Sequence, residues 1–388
     1  MGNTPSVPMP TASDLTSSSS QRGQELNPAA WSVQMADSCI KRSPVLMNVW
    51  SYEWGVVLKG VEQVWLDTGD KKYLEYIRHN VEQFVEPDGN IRTYNLQDYN
   101  LDQINSGKLL FQLYQVTGDR RYQQALHLLR KQLQTQPRTS EGGFWHRNIY
   151  PYQMWLDGIY MAGPFYVQYA TCFDEPDGLD DVAHQILLIE RHTHDPKTGL
   201  FYHGWDESKM QKWANPQTGC SPNFWGRAVG WYAMALVDVL DFIPPSHQAR
   251  DRIVTIFQRM IHSLTRVQDA ATGLWYQILD QGGREGNYTE ASASCMFVYA
   301  IAKGIRKGYL APECLEVAQK GYAGIIEHLV EVDEDGQVNL TGICRVAGLG
   351  GEQQRDGSYE YYLSEPVGTN DYEGVGSFIL AGVEMGRF

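Results

Sequence analysis

The 388-residue chain carries 32 Lys+Arg against 46 Asp+Glu, a formal net charge of -14. Nucleic acid and anionic membrane surfaces both require clustered cations, so this balance argues against either as a partner. No stretch approaches the ~20 apolar residues of a membrane span, and a chain of this length buries roughly 75% of its unfolded surface in one core, so size alone forces no second domain.

In chain order, residues 1–28 come first. They are rich in Ser, Thr, Pro and Gln and read as a disordered tail ending near Asn27-Pro28, with residues 29–388 as one domain. The tail lacks the basic start and apolar run of a secretion signal, which points to the cytoplasm. Met1-Gly2-Asn3-Thr4-Pro5-Ser6 matches the loose myristoylation pattern, but a pattern this short arises by chance. The six cysteines, Cys39, Cys172, Cys220, Cys295, Cys314 and Cys344, are scattered without a C-x-x-C pair. They read as buried free thiols in a reducing compartment, with no zinc site, no other metal and no disulfide framework.

From residue 30 onward the pattern is helical and repeated. Thr68-Gly69-Asp70-Lys71-Lys72-Tyr73 recurs as Thr117-Gly118-Asp119-Arg120-Arg121-Tyr122. Each copy lies between two helical apolar patterns and supplies a glycine stop followed by an aspartate start. A second mark, a polar turn with glycine, recurs at Pro87-Asp88-Gly89, Glu141-Gly142-Gly143-Phe144, Thr198-Gly199-Leu200-Phe201, Thr272-Gly273-Leu274-Trp275 and Glu334-Asp335-Gly336. Repetition at this scale marks a helical array. Outer-type helices are predicted near 30–42, 71–85, 121–135, 179–192, 247–265 and 312–330. Inner-type helices, richer in small residues, are predicted near 50–66, 101–116, 157–171, 225–241, 290–305 and 374–386. Six hairpins, with the first outer helix meeting the last inner one, make an all-α, closed (α/α)6 barrel of twelve helices; an open solenoid is the alternative. The longer aromatic and polar loops all lead into inner helices, so they gather at one end of the ring.

That rim collects Tyr52, Asp102, His146, Trp155, Asp157, His203, Trp225, Arg227 and Trp231, among further Trp and Tyr. Aromatic faces stack on the C–H faces of sugar rings, although aromatics also fill cores; as a set they point to a carbohydrate cleft. Asp102 and Asp157 stand at inner-helix starts, where a helix cap is the structural alternative. Asp157 follows Trp155 and Leu156, an apolar setting expected to raise its pKa and suit a general acid. Arg227 opposes the dipole at its helix start, so it is expected to act as a fork for a substrate carboxylate. His192-Thr193-His194 lacks the one-face spacing of a metal pair and reads as surface.

Three longer motifs carry a family resemblance: Tyr99-Asn100-Leu101-Asp102-Gln103-Ile104-Asn105-Ser106-Gly107, Tyr150-Pro151-Tyr152-Gln153-Met154-Trp155-Leu156-Asp157-Gly158-Ile159-Tyr160-Met161 and Phe224-Trp225-Gly226-Arg227-Ala228-Val229-Gly230-Trp231-Tyr232. With the closing Asp371-Tyr372-Glu373-Gly374-Val375-Gly376, they resemble glycoside hydrolase family 105, the unsaturated rhamnogalacturonyl hydrolases, from about Trp50 to the C-terminus. The resemblance implies an (α/α)6 barrel and no cofactor. It implies as substrate an oligosaccharide left by a polysaccharide lyase, ending in a 4,5-unsaturated uronic acid. Asp157 would protonate C4 and assist water attack at C5, whereas ordinary glycosidases need two carboxyls flanking the glycosidic bond. Asp102 would hold substrate hydroxyls and influence the protonation of Asp157. His146, His203, Trp225, Arg227 and Trp231 would line the subsite, with Tyr52 beside them. The competing expectations are a β-glucuronyl substrate from ulvan or glycosaminoglycan, and a non-catalytic sugar-binding barrel.

Overall fold

The computed structural model describes residues 27–388 apart from Met47. The predicted tail, except for Asn27 and Pro28, and the myristoylation pattern therefore lie outside the described residues. Those two begin helix α1 (Pro28–Arg42): the Asn27 side chain accepts from the Ala29 and Ala30 amides, and Pro28 occupies the first turn, where no backbone N–H is missed. The chain continues through α2 (Tyr52–Thr68), α3 (Lys71–Glu82), a 3₁₀ segment Leu101–Gly107 running into α4 (Lys108–Thr117), and α5 (Arg120–Thr135). There follow α6 (Leu156–Cys172), α7 (Pro176–Thr193), α8 (Gly226–Val239), α9 (Arg250–Arg266), α10 (Ala291–Arg306), α11 (Leu315–Leu329), the short α12 (Tyr359–Ser364) and α13 (Tyr372–Met385).

The inner elements, α2, the Leu101–Gly107 segment, α6, α8, α10 and α13, pack in that order, and α13 packs back on α2. The ring is closed. Outer helices α3, α5, α7, α9 and α11 back their partners, while α1 lies on α13, where the Ser32 hydroxyl donates to the Ile379 carbonyl at 3.0 Å. This is the expected (α/α)6 barrel. The repeated Thr-Gly-Asp turns act as read: Gly69 and Gly118 end helices at φ 70° and 68°, a left-handed conformation cheap only for glycine. Asp70 and Asp119 then each accept the amide two residues on at 3.0 Å, starting the next helix.

Four features differ from expectation. The inner helix predicted over 101–116 winds as 3₁₀ through Gly107 and becomes α only from Lys108. Asp102, Asn105, Ser106 and Gly107 are weak helix formers, and packing decides the winding, because Gly55 of α2 gives the Ser106 side chain room to press inward. The six residues of α12 are too short to show a period. The loops pair as short antiparallel strands: β1 (Gln153–Trp155) with β2 (Gly204–Asp206), β3 (Val330–Val332) with β4 (Val338–Leu340), and β5 (Ile343–Cys344) with β6 (Val367–Gly368). Of the cysteines expected to be buried, Cys172 is exposed and Cys314 partly exposed, since Cys172 is the last residue of α6 and Cys314 lies in the turn just before α11. Among the described residues no helix is long and apolar enough to cross a membrane.

Candidate active site

Every inner element begins with a polar side chain at the same end of the ring. Tyr52 opens α2, Asp102 is second in the 3₁₀ segment, and Asp157, Arg227 and Glu373 are second in α6, α8 and α13; Glu290 caps α10. Helix N-termini present unpaired N–H groups and a positive dipole end, so acids are favoured there. Neither aspartate is the cap itself. Asn100 caps the segment holding Asp102 through a 3.1 Å bond to its amide, and Trp155 stands at the cap of α6 without a side-chain bond.

The loops bring the candidate residues together by backbone pairing. The Leu101 amide donates to the His146 carbonyl at 3.1 Å and the His146 amide to the Gln153 carbonyl at 2.8 Å. Trp155 pairs with Gly204 across β1 and β2, and the Leu156 amide donates to the His203 carbonyl at 3.0 Å. His146 and His203 therefore flank the start of α6. His146 Nε2 lies 3.3 Å from Asp102 Oδ1, and His203 Nε2 lies 3.2 Å from Asp157 Oδ2. The second pair is within ion-pair distance but not aligned as a hydrogen bond, leaving Oδ2 and Nε2 unbonded. Nδ1 of His203 meets the Tyr362 hydroxyl at 2.7 Å. With that hydroxyl donating, the ring proton sits on Nε2, facing the carboxylate; the tautomer is assigned from these partners.

An aromatic wall runs behind the two pairs. Trp155 stacks on His146 with centroids 4.3 Å apart, touches Tyr150 at 4.7 Å and meets His203 at 5.4 Å. Trp225 packs on His203 at 4.8 Å and stacks on Tyr362 at 5.7 Å. Trp231, one helical turn beyond Arg227, lies deeper, edge-on to Tyr52 at 6.2 Å and stacked on Tyr160 at 4.9 Å. Asp102, His146, Trp155, Asp157, His203 and Trp225 thus form one contiguous group. Tyr52, Arg227 and Trp231 form a second beneath it, joined to the first where the Arg227 guanidinium lies 5.7 Å from the Trp225 ring.

Two sequence expectations change. Asp157 is buried, 9% exposed, yet its pKa is lowered rather than raised: desolvation pushes it up, but the electrostatic influence of the His203 and His146 rings and the His203 contact outweigh that. Apolar neighbours in sequence said nothing of two imidazoles arriving from other loops. Arg227 is not an open fork. It is 1% exposed, with Nε on the Ser292 hydroxyl at 2.8 Å, Nη1 on the Arg345 carbonyl at 3.0 Å and Nη2 on the Cys344 carbonyl. Glu290 lies 3.4 Å away and Glu373 3.8 Å, and Glu373 accepts from the Tyr52 hydroxyl at 3.0 Å. Burial pushes the Glu373 carboxyl up to about 7 despite Arg227.

Tyr362 stands among the rim tyrosines that the sequence places here, whereas Glu290 and Glu373, which join the cluster through Arg227, were not singled out. The two glutamates obey the rule that picked out Asp102 and Asp157, an acid at the start of an inner helix, and could have been found by it.

A closed helical ring whose one end gathers acids, imidazoles and aromatic faces is the architecture of a carbohydrate-active enzyme. The chain belongs to Glycosyl Hydrolase Family 88, whose profile matches residues 31–388, and it is a glycoside hydrolase. A solved glycoside hydrolase from family 105 of C. acetobutylicum ATCC 824 superposes with a TM-score of 0.91 at 47% identity, covering 92% of this chain and 99% of that one. The unsaturated rhamnogalacturonyl hydrolase YesR of Bacillus subtilis is 29% identical over 309 residues, 78% of this chain and 82% of YesR. Protein Atu3128 of Agrobacterium fabrum is 42% identical over 230 residues, 58% of this chain and 97% of that protein.

Proposed function

We propose that the enzyme removes a terminal 4,5-unsaturated galacturonic acid from lyase-generated rhamnogalacturonan oligosaccharides by hydrating the C4=C5 bond. The observation that carries this reading is the buried Asp157 carboxyl with its unbonded Oδ2 between two histidines and an aromatic wall. One proton donor is what a vinyl ether needs. The ring oxygen pushes electron density onto C4, so a proton delivered there leaves an oxocarbenium ion centred on C5. Water then adds to C5 and returns its proton to Asp157. The hemiketal opens by breaking the C5–O5 bond, and the hemiacetal left at C1 releases the aglycone without further catalysis. The net change is the uptake of one water.

The imidazoles hold Asp157 ionised; an incoming uronate adds a negative charge in a desolvated space, which favours the protonated acid. His203 stabilises the carboxylate between the two steps. Asp102, with His146, faces the sugar hydroxyls, and Trp155 offers its ring to the sugar's C–H face. Arg227 acts at one remove, holding Glu373 and through it Tyr52. Kinship with YesR, an unsaturated rhamnogalacturonyl hydrolase, supports the galacturonyl substrate.

The test is loss of the conjugated double bond's ultraviolet absorbance on lyase-digested rhamnogalacturonan, beside lyase-digested ulvan and chondroitin. Fastest loss on the pectin fragments supports the reading; preference for a glucuronyl fragment overturns the substrate. In heavy-oxygen water the label belongs on C5 of the released keto acid, and label at the anomeric carbon overturns hydration.

A further inference from the structure

Below the Tyr160–Trp231 layer the ring encloses a second cavity of about 180 Å3, lined from the later turns of the inner helices and away from the acids described above. Its walls carry charged side chains that are nearly all matched. Lys303 bridges Asp238 at 2.6 Å and Asp241 at 2.8 Å, Arg306 forks Glu384 at 2.6 and 2.7 Å, and Lys59 pairs with Glu62. Lys108 is the exception. It opens α4, is 4% exposed, and its Nζ has no hydrogen-bond partner, lying 3.9 Å from the Tyr160 ring centroid. A buried ammonium without an acceptor costs free energy that a cation–π contact of ~1–2 kcal/mol only partly offsets.

We propose that this lower cavity binds a small monoanionic carboxylate, with Lys108 as its counter-ion and Gln63 and Gln168 as neutral hydrogen-bonding partners. The charge count favours one negative charge: Asp241 also pairs with Lys307 at 2.6 Å, so among the described residues five cations (Lys59, Lys108, Lys303, Arg306 and Lys307) face four acids (Glu62, Asp238, Asp241 and Glu384) and the charge of Lys108 is left over. A phosphate dianion would bring a surplus charge against Asp238, Asp241 and Glu384. The volume lies below the roughly 300 Å3 at which drug-sized pockets begin, so the ligand is of monosaccharide size or less. The mouth is open to solvent, because the Lys59, Asp241 and Arg306 side chains are 25%, 25% and 31% exposed.

Occupancy depends on the Lys108 proton. Desolvation lowers the Lys108 pKa to about 7, against the facing Asp238 and Glu62, which raise it, and Lys59 and Lys303, which lower it further. Tyr160 faces it as a neutral ring. Affinity falls as pH rises through 7, and the charged fraction at pH 8.5 against pH 6.5 implies about a twenty-fold loss.

The test is titration calorimetry of the full-length enzyme with acetate, D-galacturonate and inorganic phosphate, at constant ionic strength and at pH 6.5 and 8.5. Expected are saturable binding of both carboxylates at pH 6.5, weakening at pH 8.5, and loss of at least tenfold in affinity in Lys108→Met. That variant removes an unpaired buried charge and should fold at least as well; Lys108→Gln answers the same question if it does not. Absence of carboxylate binding to the wild-type enzyme, affinity unchanged in the Lys108 variant, or tighter binding of phosphate each overturns the proposal. Binding of galacturonate in the upper cleft is told apart because it survives the Lys108 substitution.

Discussion

At the scale of single residues, the site is a set of side chains whose charge states are fixed by neighbours remote in sequence. Asp157→Asn keeps shape and, since Trp155 rather than Asp157 stands at the helix cap, leaves α6 intact. An amide can neither protonate C4 nor take the proton of water, and general acid–base catalysis is typically worth ~10²–10⁴-fold. With one group serving both steps, kcat should fall at or beyond the upper figure in a protein that keeps its helical circular dichroism; near-normal turnover would refute the assignment. Arg227→Met makes a different forecast. It strands Glu290 and Glu373 as buried acids, and breaking a buried pair costs roughly 3–5 kcal/mol, so urea unfolding should show a large loss of stability before any question of KM arises. Glu373 supplies a pH signature. Its folded pKa of about 7 lies above the ordinary 4.5, so the folded state binds the extra proton and stability declines as pH rises from about 4.5 to 7. Glu373→Gln should flatten that decline, and equal slopes in the two proteins would show that another group titrates. Asp157 works the other way: its depressed pKa contributes stability above its ordinary 3.8 that is lost as pH falls below it, a separate window. That Asp102, Asp157, His146 and His203 gather at one end of the ring was legible from their positions at the rim. Their electrostatics were not, because the His203–Asp157 contact joins two loops 46 residues apart through β1 and β2, whose three-residue strands leave no alternating pattern to read.

At the scale of elements, local chemistry was legible wherever it set the geometry. The Thr-Gly-Asp turns predicted both the left-handed glycine stop and the aspartate start, because each depends only on adjacent residues. Asp119→Ala therefore should cost about 1 kcal/mol, the usual worth of an N-cap, through an exposed helix start distant from the chemistry. A thermal shift of a few degrees with unaltered kcat/KM would bear this out, whereas altered catalysis would contradict the separation of outer turns from the site. The 3₁₀ winding of Leu101–Gly107 was illegible for the opposite reason: hydrophobic spacing does not distinguish it from an α-helical turn, and the fit of Ser106 against Gly55 decides it. That winding matters to the site. A tighter turn rotates each later side chain relative to an α-helix, so Asp102 meets His146 in a position that an α-helical register would have moved.

At the scale of the whole molecule, closure of the ring is what assembles the site, since the first and last inner helices each contribute half of the Tyr52–Glu373 contact at 3.0 Å. The seam is tight. A Cβ on Gly376 of α13 would come within 2.6 Å of the Val56 backbone in α2, and backbone atoms cannot swing aside as a flexible side chain can. Gly376→Val should therefore push α13 away from α2. In an open array such a change at one end would unravel the terminal repeat and leave the rest, because each repeat contacts only its neighbours. In a closed ring there is no end to fray: the seam joins α2, α10 and α13, so stability should drop across the whole domain in one transition. Overpacking typically costs 1–3 kcal/mol, and a clash with backbone belongs at the top of that range. Calorimetry should show a single transition at a lower temperature, and KM should rise as Tyr52 and Glu373 part. Gly69→Ala is the matched comparison, because nothing lies within 4 Å of its Cβ and only its φ of 70° is strained, so it should lose stability without touching KM. Two separate transitions for Gly376→Val, or an unchanged KM, would mean that the ring's closure is not what holds the site together.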